Sequence, residues 1–158
     1  LKGHIAVTNT NLKKYFNGKQ IDLRARKFLK NTGLDYQHGT GHGVGFFLNV
    51  HEGPQGITKF NKIKLEEGMI LSNEPGYYKE GKFGIRIENL LYIKKENKKL
   101  IFENLTLAPI EKDLINFKKL NSVEKDYLFK YHLNVYGKIS KYLNNNEKKW
   151  LASHIYHF

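Results

Sequence analysis

His38-Gly39-Thr40-Gly41-His42-Gly43-Val44-Gly45-Phe46 is the stretch of this 158-residue chain on which the reading of the rest turns. Its glycines, at 39, 41, 43 and 45, argue strongly against a helix. Glycine loses more backbone entropy in regular structure than any other residue and is used where the chain turns sharply or passes close to another group. The stretch therefore reads as a turn or irregular strand, with His38 and His42 held where little side-chain bulk screens them. Downstream, Phe46–His51 (FFLNVH) reads as a strand closed by Glu52-Gly53-Pro54. Upstream, residues 20–32 place Ile21, Leu23, Ala25, Phe28 and Leu29 on one face of an amphipathic helix, with Gly33 at its stop. The segment before that, Gly3 to Phe16, reads as the end of another helix weakened by Asn and Thr.

Further along, Met69–Asn73 (MILSN) predicts a short apolar strand ending at Pro75-Gly76, and 77–84 a hairpin connection. Residues 85–93 (IRIENLLYI) alternate, with Ile85, Ile87, Leu91 and Ile93 on one side and Arg86, Glu88, Leu90 and Tyr92 on the other. Residues 101–107 add a strand, and Pro109 closes the region. Beyond Glu111 the composition turns helical. Asn121 or Ser122 caps a helix running to 143 through Val123, Tyr127, Leu128, Tyr131, Val135, Tyr136, Ile139 and Leu143. Asn144-Asn145-Asn146 breaks it, and a second helix is expected over Glu147–Tyr156. The fold class read from this order is α+β: antiparallel strands with flanking helices over 1–109, and a small helical appendage over 110–158.

Composition narrows the function. Apolar residues at 40% and aromatics at 13% suffice for a core. The absence of cysteine excludes disulfide scaffolds, thiolate metal sites and cysteine nucleophiles. No apolar run approaches the roughly 18 residues of a transmembrane helix, and the opening LKGHIAVTNTNLKKYF lacks a signal-peptide layout, so an intracellular protein is expected. The net charge of +12 invites an acidic partner, but its lysines are scattered and arginine occurs only at 24, 26 and 86. Arginine makes most bidentate contacts to bases and phosphates, so nucleic acid is the weaker reading.

The chemistry-bearing candidates are three histidines and two glutamates. His38, His42 and His51 lie among glycines, whereas His4, His132, His154 and His157 read as surface or backbone-satisfied residues. Glu74 ends an apolar strand, and Glu88 interrupts another on the same face as Arg86. A buried carboxylate needs a cation, hydrogen bonds or a metal. An Arg86–Glu88 ion pair is the plainer account of Glu88 but leaves Glu74 unexplained. One imidazole and two carboxylates form a hard ligand set suited to Mn, Fe, Co or Zn.

HGTGHGVG, NVHEGP, NEPGYY and GIRIEN occur in order between KGHIAV and the tail YHLNVYGKI. Together they closely resemble the C-terminal part of the Xaa-Pro aminopeptidase (aminopeptidase P) family, long form, among the metallopeptidases of the pita-bread (creatinase/aminopeptidase-type) fold. The resemblance spans essentially the whole chain. It implies a partial pita-bread fold with a curved antiparallel sheet, and metal-dependent release of an N-terminal residue from peptides with proline in second position. By the same resemblance His42, Glu74 and Glu88 are metal ligands, Glu88 bridging two ions that are usually manganese. Glu74 is also the general base, His38 and His51 contact substrate, and Arg86 and Tyr78 order the site. His4 and Asp35 match no known ligand and are assigned structural roles. The family's two ligand aspartates and a further substrate histidine precede the KGHIAV-like segment, and Asp22 and Asp35 do not take their place. Three of five ligands are thus expected here, with one metal or none held and weak or absent turnover alone. The resemblance further implies a cytoplasmic location, and a second copy or a complementing upstream fragment as partner. The alternative reading is a non-catalytic pita-bread module binding RNA or an acidic protein.

Overall fold

The computed structural model describes residues 1–47 and 49–155. The chain divides into two compact units, Leu1–Thr106 and Leu107–Phe158.

The first unit opens with helices α1 (Lys2–Thr8) and α2 (Gly18–Lys30). α2 starts where Asn17, in extended backbone, turns its side chain back to accept from the Gln20 N–H, satisfying one of the donors that a helix leaves unpaired at its start. It ends at Asn31 rather than at Gly33, which takes a positive φ of 76° beyond the helix. Ile21 and Ala25 are buried as the periodicity requires, but Leu23 is largely exposed.

Among the described residues seven strands follow: β1 (Gly41–His42), β2 (Gly56–Ile57), β3 (Ile70–Asn73), β4 (Gly76–Lys79), β5 (Phe83–Arg86), β6 (Asn89–Glu96) and β7 (Lys99–Asn104). Their pairings are all antiparallel: β1 with β2, β3–β6–β7, and β4 with β5. A bridge from Gly43 to Leu71 ties the β1 end to β3. The core gathers Val7, Leu12, Ile21, Ala25, Ile57, Leu65, Leu71, Leu91, Ile93 and Phe102. Leu71 sits opposite Leu91, both fully buried, and each such side chain contributes roughly 1.5–3 kcal/mol on leaving water.

Two expectations are corrected. Residues 85–93 are not one strand: β5 stops at Arg86, opposite Gly76, and β6 starts at Asn89, opposite Asn73. The chain changes partner at Ile87-Glu88. Nor do the described residues of 46–51 form a strand. Phe46, Phe47 and Val50 are exposed, the loop closes on itself through Gly45 N–H to Asn49 O (2.8 Å), and Leu48 lies outside the described residues.

The second unit contains α3 (Ser122–Ile139) and α4 (Asn145–Ile155). Asn121 and Glu124 cap α3 reciprocally, each side chain accepting from the other's backbone N–H at 2.9 Å. Leu128, Tyr131, His132 and Val135 are its buried stripe. The His132 imidazole accepts from the Ile110 N–H through Nε2, and the Tyr131 hydroxyl donates to Ala108 O. No helix among the described residues is long and apolar enough to cross a membrane.

His4, fully buried in α1, gives the first unit a pH dependence. Its pKa is lowered to about 4, chiefly by burial and then by the charge of the N-terminus. An unfolded histidine titrates near 6.5, so below that pH the unfolded chain takes up a proton that the folded chain refuses. Stability is therefore expected to be flat above pH 6.5 and to fall by about 3 kcal/mol as pH drops from 6.5 to 4, at about 1.36 kcal/mol per unit. Urea unfolding of the chain and of His4→Leu at pH 7.5 and 4.5 checks this. The variant should lose most of the difference, and His132, whose pKa burial also lowers, should account for part of the remainder.

Candidate metal centre

β1, β3 and the β5–β6 junction carry His42, Glu74 and Glu88 to one place. A ligand atom of each lies within 4.8 Å of the other two. His42 Nε2 is 3.4 Å from Glu74 Oε1. His42 Nδ1 lies 3.0 Å from Gly43 O. A carbonyl only accepts, so Nδ1 carries a proton, and Nε2 faces the carboxylates. Ser72 ties the pieces together: its hydroxyl accepts from His42 N–H at 2.9 Å and donates to Glu74 Oε1 at 2.8 Å. Glu74 N–H donates to Thr40 O at 2.8 Å, fixing the residue after β3 to the glycine-rich turn. The Glu74 side chain is nearly buried, at 12% exposure, while that of Glu88 is 40% exposed.

Arg86 stands between the carboxylates, Nε at 3.2 Å from Glu88 Oε2 and Nη1 at 4.0 Å from Glu74 Oε2. The Arg86–Glu88 ion pair is thus present beside the cluster. Tyr78, then Glu88, raise the Arg86 pKa, so it stays a cation. The Tyr78 hydroxyl lies 2.8 Å from His38 Nε2, and His38 Nδ1 lies 2.7 Å from Gly39 O. By the same carbonyl argument His38 Nδ1 carries the proton and Tyr78 donates to Nε2. His51 packs its ring 4.0 Å from that of His42, centroid to centroid.

Two supporting residues escaped the sequence reading. Ser72 looked like an ordinary strand residue. Arg26 lies on the buried face of α2, where it donates through Nε to both oxygens of Asp22 and through Nη1 to Asp35 Oδ1 (2.8 Å) and Tyr36 O (2.7 Å). Its Nη2 donates to His38 O at 2.6 Å. Thr40 Oγ1 donates to Asp22 Oδ1 at 2.6 Å, so α2 anchors the segment before β1 at four points, Asp35, Tyr36, His38 and Thr40. Burial opposes the Arg26 charge, but the bonds to Asp22 and Asp35 outweigh it and raise the pKa. The signal available in sequence was Asp22 and Arg26, four apart beside Ile21 and Ala25 on an otherwise apolar face. Asp22 and Asp35 are both engaged by this arginine.

An imidazole nitrogen and two carboxylates, one donor atom of each within 4.8 Å of the others, define a candidate site for a hard divalent cation. Residues 1–95 match the model of metallopeptidase family M24, and 98–158 that of the C-terminal region of peptidase M24. The chain belongs to metallopeptidase family M24, and its first unit is part of the pita-bread fold. It is 44% identical to a probable Xaa-Pro aminopeptidase P of Laccaria bicolor over 96% of this chain and 26% of that one. It is 45% identical to Xaa-Pro aminopeptidase 1 of Dictyostelium discoideum over 98% of this chain and 27% of that one. A solved X-prolyl aminopeptidase from Caenorhabditis elegans, described as a cytosolic enzyme with a di-nuclear active site, superposes with a TM-score of 0.89 at 35% identity. That match covers 99% of this chain and 27% of the nematode one. The chain thus spans about a quarter of the length of the relatives it matches.

Proposed function

We propose that this chain supplies His42, Glu74 and Glu88 as metal ligands to an Xaa-Pro aminopeptidase that works in the cytosol on peptides with proline in second position, with manganese as the metal. The observation that carries the reading is the convergence of His42 Nε2 with two carboxylates. Arg86 leans on both carboxylates but is half-exposed, and one guanidinium does not account for an imidazole turned toward the same point. When bound, divalent metal would polarise the scissile carbonyl and lower the pKa of an attacking water.

The chain's own residues take the remaining roles. Glu74, oriented by Ser72, accepts the proton of the attacking water as general base. His38, with Nε2 turned to the Tyr78 hydroxyl, hands protons across the site and contacts the substrate. His51, exposed beside His42, offers its ring to the scissile peptide. Arg86 and Tyr78 balance and order the charges around Glu88. Three protein ligands suffice to hold one ion. A two-ion site of the family's kind needs donor atoms beyond these three, from an upstream fragment or from a longer chain.

Manganese titration followed by electron paramagnetic resonance tests the centre directly. The 158-residue chain should bind Mn2+, and His42→Ala and Glu88→Gln should each weaken binding at least about tenfold, since even the residues that merely orient metal ligands cost 10–100-fold. Undiminished uptake by the double variant would sink the assignment.

A further inference from the structure

We infer that Thr40 is a positioning residue for Glu74: its side-chain hydroxyl, anchored on the buried carboxylate of Asp22, sets the main-chain carbonyl that holds the Glu74 backbone. The inference rests on the metal-centre reading above and gives Asp22, which the mechanism does not use, a part in that centre.

Thr40 has no exposed surface, and its side chain and main chain serve different elements. Oγ1 donates to Asp22 Oδ1 on α2 at 2.6 Å. A carboxylate only accepts, so the one hydroxyl proton of Thr40 goes there. The bond between Thr40 Oγ1 and the Tyr36 hydroxyl therefore takes its proton from Tyr36. Burial pushes the Tyr36 hydroxyl up to about 12, which keeps that donor protonated. The result is a directed chain from Tyr36 through Thr40 to Asp22, whose carboxylate Arg26 Nε also answers. The Thr40 hydroxyl thus donates once and accepts once, both times in the interior.

The main chain of Thr40 serves the metal centre. Its carbonyl accepts from Glu74 N–H at 2.8 Å. Glu74 depends on that bond because it lies just past the sheet. β3 ends at Asn73, opposite Asn89, and residue 75 is a proline with no N–H to offer. Ser72 orients the Glu74 carboxylate through Oε1, and Thr40 fixes the backbone from which that side chain extends. Thr40 itself stands between Gly39 and Gly41, whose own backbones are the least restricted of any residue type. A hydroxyl bond to a carboxylate on α2 supplies the restraint that these neighbours do not. Small displacements at such supports are felt as lost ligand geometry.

The test compares the 158-residue chain with Thr40→Val, which keeps the shape and loses the hydroxyl, and Thr40→Ser, which keeps the hydroxyl. Mn2+ affinity is read by electron paramagnetic resonance, and amide exchange at Glu74 and at Ile93, a control in the β3–β6 sheet whose N–H donates to Met69 O. The expected result is a folded Thr40→Val protein whose affinity falls about tenfold or more, with faster exchange at Glu74 and none of that change at Ile93. Thr40→Ser should stay within about threefold of the parent on the same scale. A folded Thr40→Val protein with parental affinity overturns the proposal. So does a serine variant that loses as much as the valine one, or exchange that quickens equally at both amides. Should Thr40→Val not fold, Thr40→Val/Tyr36→Phe takes its place, since it also removes the tyrosine hydroxyl that valine strands. If the parent chain takes up no Mn2+, the metal reading fails by itself. Thr40 is then judged on exchange: faster at Glu74 in the variant, with Ile93 unchanged, upholds positioning, and unchanged or equally raised rates overturn it.

Discussion

Arg26→Leu is expected to cost the Leu1–Thr106 unit about 3–5 kcal/mol, the usual consequence of removing one partner from a buried ion pair. The Asp22 carboxylate has no exposed surface, and Arg26 answers both of its oxygens. Without the guanidinium, only the Thr40 hydroxyl remains to it among the described residues, and the carbonyls of Tyr36 and His38 lose their donors as well. A stranded buried anion costs more than the pair contributes, so the double variant Arg26→Leu/Asp22→Asn should recover part of the loss. Urea unfolding of the three proteins at pH 7.5 measures this. A single-variant loss below about 1 kcal/mol, the scale of an exposed ion pair, would mean that the network is ornamental. The site should feel the change too, because Arg26 holds the carbonyl of His38, and His38 carries the contact to Tyr78.

That network also marks where sequence reading stopped. α2 and α3 were legible because their apolar residues recur with helical period, and α3 also because Asn121 offered a cap; the Asn17 cap that starts α2 came only with the structure. β3 and the break after it followed from MILSN and the Pro75-Gly76 turn. The single strand over 85–93 failed for a definite reason. Alternation reports which face a residue occupies, not which neighbour it pairs with, and the pattern ran on while the partner changed from β4 to β3. The strand over 46–51 failed because apolar content was taken as burial. Phe46 is almost wholly exposed, and Asn49 bonds Glu52 within the loop, a local competitor to sheet pairing. The candidate ligands were legible as residue types, but their convergence was carried by the family resemblance, since His42, Glu74 and Glu88 come from separate strands or strand ends. Ser72 was invisible because a hydroxyl in an apolar strand has no pattern of its own.

Gly41→Ala is expected to undo the site and the fold together, at a cost of about 3 kcal/mol or more, the upper range for forcing atoms into a packed interior. A Cβ at Gly41 would overlap the backbone carbonyl of Ser72, and the Ser72 hydroxyl lies beside it at 3.4 Å. A backbone oxygen in a ladder cannot swing aside as a side chain can, and Ser72 is fixed opposite Leu90. Relief requires β1 to draw away from β3. That movement breaks the bond from His42 N–H to Ser72 Oγ and with it the alignment of His42 Nε2 to Glu74. Mn2+ affinity should therefore fall at least as far as in His42→Ala, in whatever fraction still folds. Gly137→Ala in α3 is the matched control, since its Cβ would meet nothing within 4 Å. There the same substitution should stabilise by about 0.5–1 kcal/mol, because alanine loses less backbone entropy in a helix. Opposite signs for one chemical change, read by thermal unfolding of the two variants, would separate close backbone approach from glycine's general entropic penalty. Equal effects would remove the steric argument for the HGTGH turn and leave its glycines without a structural reason.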